Sequence, residues 1–247
     1  MIKSEAVHCT ALTKGEKFLH NKISYEIYSE AGTYHKQHGI ENQDAIKVGM
    51  KDDYFFCAIS DGCGSSKYAK QAADCTIEYI ESFFNKHCSD FFKNDKKNIC
   101  KKMIFGIQNF LRKKALQFEV SLSEMKCTLV MMIIDTKYQN AIIIHVGDGI
   151  VAEISNENNR ILSYPENGVT RNFTYTVNSP NVFNHMRTRS LKIKPSDIFI
   201  IASDGLYENA YKRSALFRIL NSGEGVAARD DDCSYCKISC NTALNIV

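Results

Sequence analysis

Apolar residues recur at helical spacing in two long segments of the chain. Ala69, Ala73, Ile77, Ile80 and Phe84 advance by steps of four, four, three and four, while Lys70, Glu78, Glu81 and Lys86 fall on other faces. This pattern predicts an amphipathic helix over Lys67–His87. Ile99, Met103, Ile107, Leu111, Ala115 and Phe118 form a second stripe, with Lys101, Lys102, Lys113 and Lys114 largely off it, which predicts a second helix of similar length. Elsewhere the chain carries short β-rich runs at Ile23–Ser29, Tyr54–Ser60, Thr128–Asp135, Ala141–Val146, Ser190–Ile193, Ile198–Ser203 and Cys233–Ser239. The runs Leu129–Ile134 and Ile142–Val146 are apolar almost throughout, so their strands should be covered on both faces. Tyr138-Gln139-Asn140 and Asp148-Gly149 are of hairpin length, which predicts antiparallel neighbours, and the two helices arrive as one consecutive block. An α+β sandwich follows, with helices covering the outer faces of its sheets. Three prolines and no linker-like stretch leave nothing to divide residues 1–247, which read as a single domain.

Composition narrows the class. The chain has 247 residues, 44% of them hydrophobic, enough for a sizeable core. Lys and Arg number 31 against 28 Asp and Glu, and a net charge of +3 supplies no drive towards nucleic acid or an anionic membrane. No apolar run approaches the roughly 20 residues of a spanning helix, and Met1–Lys17 lacks the apolar stretch of a signal peptide. A cytoplasmic, monomeric protein is the expectation, its ten cysteines reduced thiols. Cys233, Cys236 and Cys240 do not suggest zinc, because on a strand Cys233 points away from the other two.

The candidate chemistry lies in a local pattern that occurs three times: an apolar run, a small residue, then Asp-Gly. The instances are Ser60-Asp61-Gly62, Gly147-Asp148-Gly149 and Ser203-Asp204-Gly205. Asp-Gly is a favoured turn dipeptide, and that accounts best for Asp148, between two strands. Asp61 and Asp204 precede long polar or helical segments, where a tight hairpin explains less. Asp44 and Asp231 also sit beside predicted strands. Carboxylates at several strand ends can converge on one point, and such a cluster requires cations. An all-oxygen donor set suits Mg²⁺ or Mn²⁺ rather than zinc. Two such ions could share the site and activate a water for phosphomonoester hydrolysis. The motifs of a protein nucleophile, Gly-x-Ser-x-Gly and His-Cys-x5-Arg, are absent.

In this order the residues resemble the PP2C-type metal-dependent Ser/Thr protein phosphatases, in particular their divergent bacterial branch. The family's early Asn-Glu-Asp element is similar to Asn42-Gln43-Asp44, with Gly32-Thr33-Tyr34-His35 leading in. Its Asp-Gly-x-Gly element stands as Asp61-Gly62-Cys63-Gly64, its Gly-Thr-Thr strand as Cys127-Thr128-Leu129, and its Gly-Asp-Ser-Arg turn as Gly147-Asp148-Gly149-Ile150. Ser203-Asp204-Gly205-Leu206 and the closing Asp231-Asp232-Cys233-Ser234 complete the series. The resemblance implies a four-layer α-β-β-α sandwich of two antiparallel sheets flanked by helices. It also implies a two-metal centre of Mn²⁺ or Mg²⁺ held by Asp44, Asp61, the Gly62 carbonyl, Asp204 and Asp231, with Asp148 and Glu208 bordering a third, weaker site. A phosphoprotein substrate and a cognate Ser/Thr kinase would be its partners.

The sequence departs from the family pattern twice. Many members bind the substrate phosphate through an Arg five residues before the Asn-Glu-Asp aspartate, a position held here by Gly39, so His35, Lys36 or His38 would have to serve. Some members place a His after the first Asp-Gly as general acid, where this chain has Cys63. Three readings stay open: an active phosphoserine/phosphothreonine phosphatase, a weak or silent relative that binds partners, and a small-molecule phosphohydrolase. Specificity would sit in the loop from Tyr164 to Met186, which includes Asn172-Phe173-Thr174.

Overall fold

A computed structural model describes residues 16–20, 22–93, 95–154, 159–166, 174–207 and 230–241. In chain order the strands are β1 (Glu16–His20), β2 (Ile23–Glu30), β3 (Ala45–Lys51), β4 (Tyr54–Ser60), β5 (Leu129–Asp135), β6 (Asn140–Val146), β7 (Ile150–Ile154), β8 (Arg160–Ser163), β9 (Arg187–Lys192), β10 (Ile198–Ala202) and β11 (Cys233–Cys240). The α-helices are α1 (Thr33–His38), α2 (Ala69–His87), α3 (Lys96–Gln117) and α4 (Val182–His185). One sheet runs β1-β2-β11-β10-β7-β8 and the other β3-β4-β5-β6-β9. Every ladder within them is antiparallel.

The two sheets face each other across an apolar layer. Phe55, Cys57 and Ile59 of β4, Val130, Met132 and Ile134 of β5, Phe199 and Ile201 of β10, and Cys236 and Ile238 of β11 fill it. Alternation sends the intervening residues of the five-stranded sheet outward, where Phe56, Ala58, Met131, Ile133 and Ile144 meet α2 and α3. The predicted stripe of α2 is buried throughout. In α3, Met103, Ile107, Leu111 and Ala115 are buried, but Phe118 caps the helix end and stays partly exposed, stacking on the Tyr68 ring at 5.8 Å. Asp95 starts α3 by accepting the Asn98 amide at 3.2 Å. As expected, β5 and β6 are covered on both faces.

Among the described residues, helices cover the five-stranded sheet only. The outer face of the six-stranded sheet presents Ile150, Ala152, Ile200, Ala202 and Cys233, packed with Leu206. Cys233 lies on that face while Cys236 and Cys240 point into the layer between the sheets.

The β5–β6 hairpin forms as predicted, with Gln139 in the left-handed region and the Asp135 side chain accepting the amides of Lys137 and Tyr138 at 3.0 Å. The hairpin expected at Asp148-Gly149 does not form. Both sides of β6 are already occupied, by β5 and β9, so β7 cannot pair with it. Gly147-Asp148-Gly149 instead carries the chain across the end of the sandwich into the six-stranded sheet. No described helix is long and apolar enough to cross a membrane.

Candidate metal centre

Strand register brings five aspartates to one end of the sandwich. Asp44 precedes β3 and Asp61 follows β4, and Ala45 pairs with Ser60. Ile59 pairs with Val130, and Leu129 with Val146, which places the Asp148 crossover at the same end. In the other sheet Ala202 pairs with both Ile150 and Tyr235, so Asp204 after β10 and Asp231 before β11 are brought alongside. Carboxylate oxygens of Asp61, Asp148 and Asp204 lie within 4.8 Å of one another. Asp148 thus stands in one group with Asp61 and Asp204.

The glycines after Asp61 and Asp204 serve close packing. A Cβ on Gly62 would stand 2.5 Å from the Ala69 carbonyl oxygen at the start of α2, and one on Gly205 would stand 2.0 Å from the Asp232 carbonyl oxygen. Neither glycine has a positive φ. The Asp-Gly pairs here thus mark places where main chain meets main chain beside the site.

Burial and mutual repulsion govern the carboxyls. Burial raises the Asp61 pKa well above the usual carboxylate value, and Asp44, Asp204, Asp148 and Asp231 push it further. Asp44 is pushed up to about 7 by burial, against hydrogen bonds from Ser203 and Ser234 and with repulsion from Asp232 and Asp231. Asp148 and Asp231 are also raised, in each case chiefly by burial. Two buried carboxylate oxygens, Asp44 Oδ1 and Asp148 Oδ1, have no hydrogen-bond partner among the described residues. Their companions are held: Ser203 Oγ donates to Asp44 Oδ2 at 2.8 Å, and Thr174 Oγ1 donates to Asp148 Oδ2. A converging set of anionic oxygens, two of them with a free lone pair, fits hard divalent cations.

Several positioning residues lack a signal in the sequence pattern. Asp232 accepts the Gly32 amide and His35 Nδ1, both at 2.8 Å, and the Gln43 amide at 2.5 Å. It thereby pins the segment before Asp44 to the start of β11. Only its place beside Asp231 singled it out. Tyr207 donates its hydroxyl to the Asp148 carbonyl oxygen. Arg187, at the start of β9, donates to the carbonyl oxygens of Gly147 (2.7 Å) and Tyr164, and the Glu166 amide also reaches the Gly147 carbonyl at 3.0 Å.

Of the three phosphate-binding candidates, His38 is exposed with its Nδ1 2.8 Å from the Tyr34 carbonyl oxygen, whereas His35 is buried, bonded to Asp232 and close enough to Asp231 to lower its pKa. Lys36 lies at the surface with its ammonium on Glu30. Burial pushes the Cys63 thiol up to about 12, with repulsion from Cys127 and Asp148. Glu208 and Asn172-Phe173 lie outside the described residues.

The molecule is thus a sandwich of two antiparallel sheets with an all-oxygen carboxylate cluster at the end where the chain crosses between them. The protein phosphatase 2C profile matches residues 31–234, and the chain belongs to that family. No curated protein sequence matches it. Among solved structures it is similar to the Mycobacterium tuberculosis serine/threonine phosphatase PstP/Ppp, with a TM-score of 0.66 and 12% identity over 89% of this chain and 99% of that one. The catalytic domain of PstP in complex with two manganese ions gives 0.61 and 12% over 89% and 99%. RsbX in complex with magnesium gives 0.59 and 14% over 91% and 98%. At these identities the likeness is one of fold: the α+β architecture of two antiparallel sheets with flanking helices.

Proposed function

We propose that the protein is a metal-dependent phosphatase acting on phosphoserine and phosphothreonine in proteins. The observation that carries this reading is the convergence of Asp61, Asp148 and Asp204 in a chain of the protein phosphatase 2C family, with Asp44 and Asp231 acting on the same point. Asp44, Asp61 with the Gly62 carbonyl, Asp148, Asp204 and Asp231 would hold Mn²⁺ or Mg²⁺. Bound there, the ions supply an activated water and offset negative charge on the phosphoryl oxygens.

The remaining chemistry belongs to the chain. Ser203 and Thr174 each hold one oxygen of their aspartate and leave the other for a cation. Arg187 and Tyr207 fix the carbonyl groups before and after the Asp148 Cα. Asp232 holds the His35 imidazole near Asp231, and on this reading that imidazole makes the contact with the substrate phosphate. Burial pushes the Cys63 thiol up to about 12, which makes it a poor nucleophile, and on this reading the attack comes from water.

Hydrolysis of a chromogenic phosphate ester and of a phosphothreonine peptide, each with and without Mn²⁺, tests the reading. Mn²⁺-dependent turnover of both is expected. Mn²⁺ binding with no turnover of either would make the protein a silent relative, and turnover confined to small esters would make it a small-molecule phosphohydrolase.

A further inference from the structure

α3 carries six lysines and one arginine and no acidic residue. Its buried stripe includes Met103, Ile107 and Leu111, and the opposite face bears Lys101, Lys102, Phe105, Arg112, Lys113 and Leu116, a row about 22 Å long at 1.5 Å per residue. Phe105 is 57% exposed and Leu116 74%. Lys101, Lys102 and Lys113 form no ion pair among the described residues, whereas Lys36, Lys70 and Lys93 pair with Glu30, Asp74 and Asp90. Four cations thus flank two large apolar side chains on a face with no acidic residue of its own helix to balance it.

This face is joined to the metal centre by residues 174–186. Thr174 hydrogen-bonds Asp148 at one end of that segment, Gln108 of α3 donates to the Val177 carbonyl at 3.0 Å, and the Lys101 ammonium lies 5.8 Å from the Phe183 ring in α4. A polypeptide whose phosphorylated residue sits at the acidic cluster and whose flanking chain follows this segment reaches Phe183, then Lys101 and Phe105.

We propose that the outer face of α3, with Phe183, docks an acidic segment of the phosphoprotein substrate, its carboxylates meeting Lys101, Lys102 and Arg112 and an apolar residue meeting Phe105. The occupant follows from charge complementarity: a row of cations with no acidic partner among the described residues selects a polyanionic chain, while the separated side chains of Phe105, Leu116 and Phe183 offer anchors for a peptide and too little continuous apolar surface to lie in a bilayer. The inference rests on the phosphatase reading above and names the substrate class it favours.

The test compares two phosphothreonine peptides, one flanked by Glu and Leu and one by Ser and Ala, on the Mn²⁺-loaded protein. The acidic peptide is expected to show a KM about 10-fold lower at low salt, the advantage shrinking in 0.5 M salt as the charges are screened. K101E/K102E should abolish the advantage and F105A should reduce it, both leaving turnover of the chromogenic ester unchanged. Fluorescence anisotropy of the unphosphorylated acidic peptide reads docking without turnover, so absence of ester hydrolysis would sink the phosphatase reading while the binding arm still decides the surface. Equal KM values for the two peptides together with no salt-sensitive anisotropy change overturn the proposal. So does K101E-sensitive binding to phosphatidylserine vesicles, or K101E-sensitive self-association, without a response to the peptide.

Discussion

Cys57 and Ile59 of β4 lie in the dry layer between the sheets; Asp61, two residues further along, lies among four other aspartates. Ile201 of β10 and Asp204 repeat the contrast three residues apart. Each fully buried aliphatic side chain in the layer contributes roughly 1.5–3 kcal/mol by leaving water. Each buried carboxyl at the end opposes folding in its ionised form, as the upward pKa shifts record. The same strands therefore hold the molecule together in their middle and confine like charges at their tips. A cation that binds the tips removes a strain the layer otherwise carries.

The largest effect that separates the two regions is expected from paired substitutions. Asp61→Asn or Asp204→Asn should lower Mn²⁺-dependent hydrolysis by about 10³-fold or more while the metal-free protein melts no lower than wild type, because a repulsive charge is lost with the ligand. Ile201→Ala should do the reverse, costing about 2–4 kcal/mol of stability in a denaturant titration with near-normal turnover per folded molecule. An Asp204→Asn protein that turns over normally would dissolve the distinction.

Arg187 lies between these extremes. Arg187→Met removes the donors to the Gly147 and Tyr164 carbonyls, and a 10- to 100-fold weaker Mn²⁺ affinity by calorimetry is expected. Arg187→Lys should recover part of it, since charge returns without the two-pronged geometry.

The pH dependence of the metal-free protein is a smaller effect with a definite sign. Asp44 titrates at about 7 in the fold against its ordinary 3.8, so between those values the folded state holds more protons than the unfolded one. Stability should therefore fall as pH rises from about 4 to 7, with Tm dropping by roughly 3–10 °C. Saturating Mn²⁺ should stabilise the protein more at pH 7.5 than at pH 5. A metal-free Tm that rises over this range would show that the acidic end is not repulsive.

The smallest effect belongs to Cys63→Ser. Turnover within about twofold of wild type is expected, because burial pushes the thiol up and makes it a poor nucleophile. Loss of activity on alkylation that Cys63→Ser escapes would assign the thiol a direct part.

Periodicity made α2, α3 and the strands β2, β4, β5, β6, β10 and β11 legible, since an element that buries one face or both must repeat its apolar residues at that spacing. β3 escaped because its outward position Lys47 is charged, although it is buried against Glu81 of α2 at 3.2 Å. The Asp-Gly repeats pointed to the aspartates at strand ends, and the order of the motifs pointed to the family. Tertiary structure decided the rest. Whether Asp148-Gly149 closes a hairpin or crosses between sheets depends on β9 having taken the free edge of β6, which the residues around Asp148 do not encode. Asp231 and Asp232 look alike in the chain. Only the approach of Gly32, His35 and Gln43 makes Asp232 a structural clasp, while its neighbour is left beside the other carboxylates. Arg187 carries no local motif, because its role lies in carbonyl groups 23 and 40 residues away. Local spacing determined which residues form strands and which acids end them; contacts between distant segments determined which of those acids share a site, because burial and charge repulsion act through space and not along the chain.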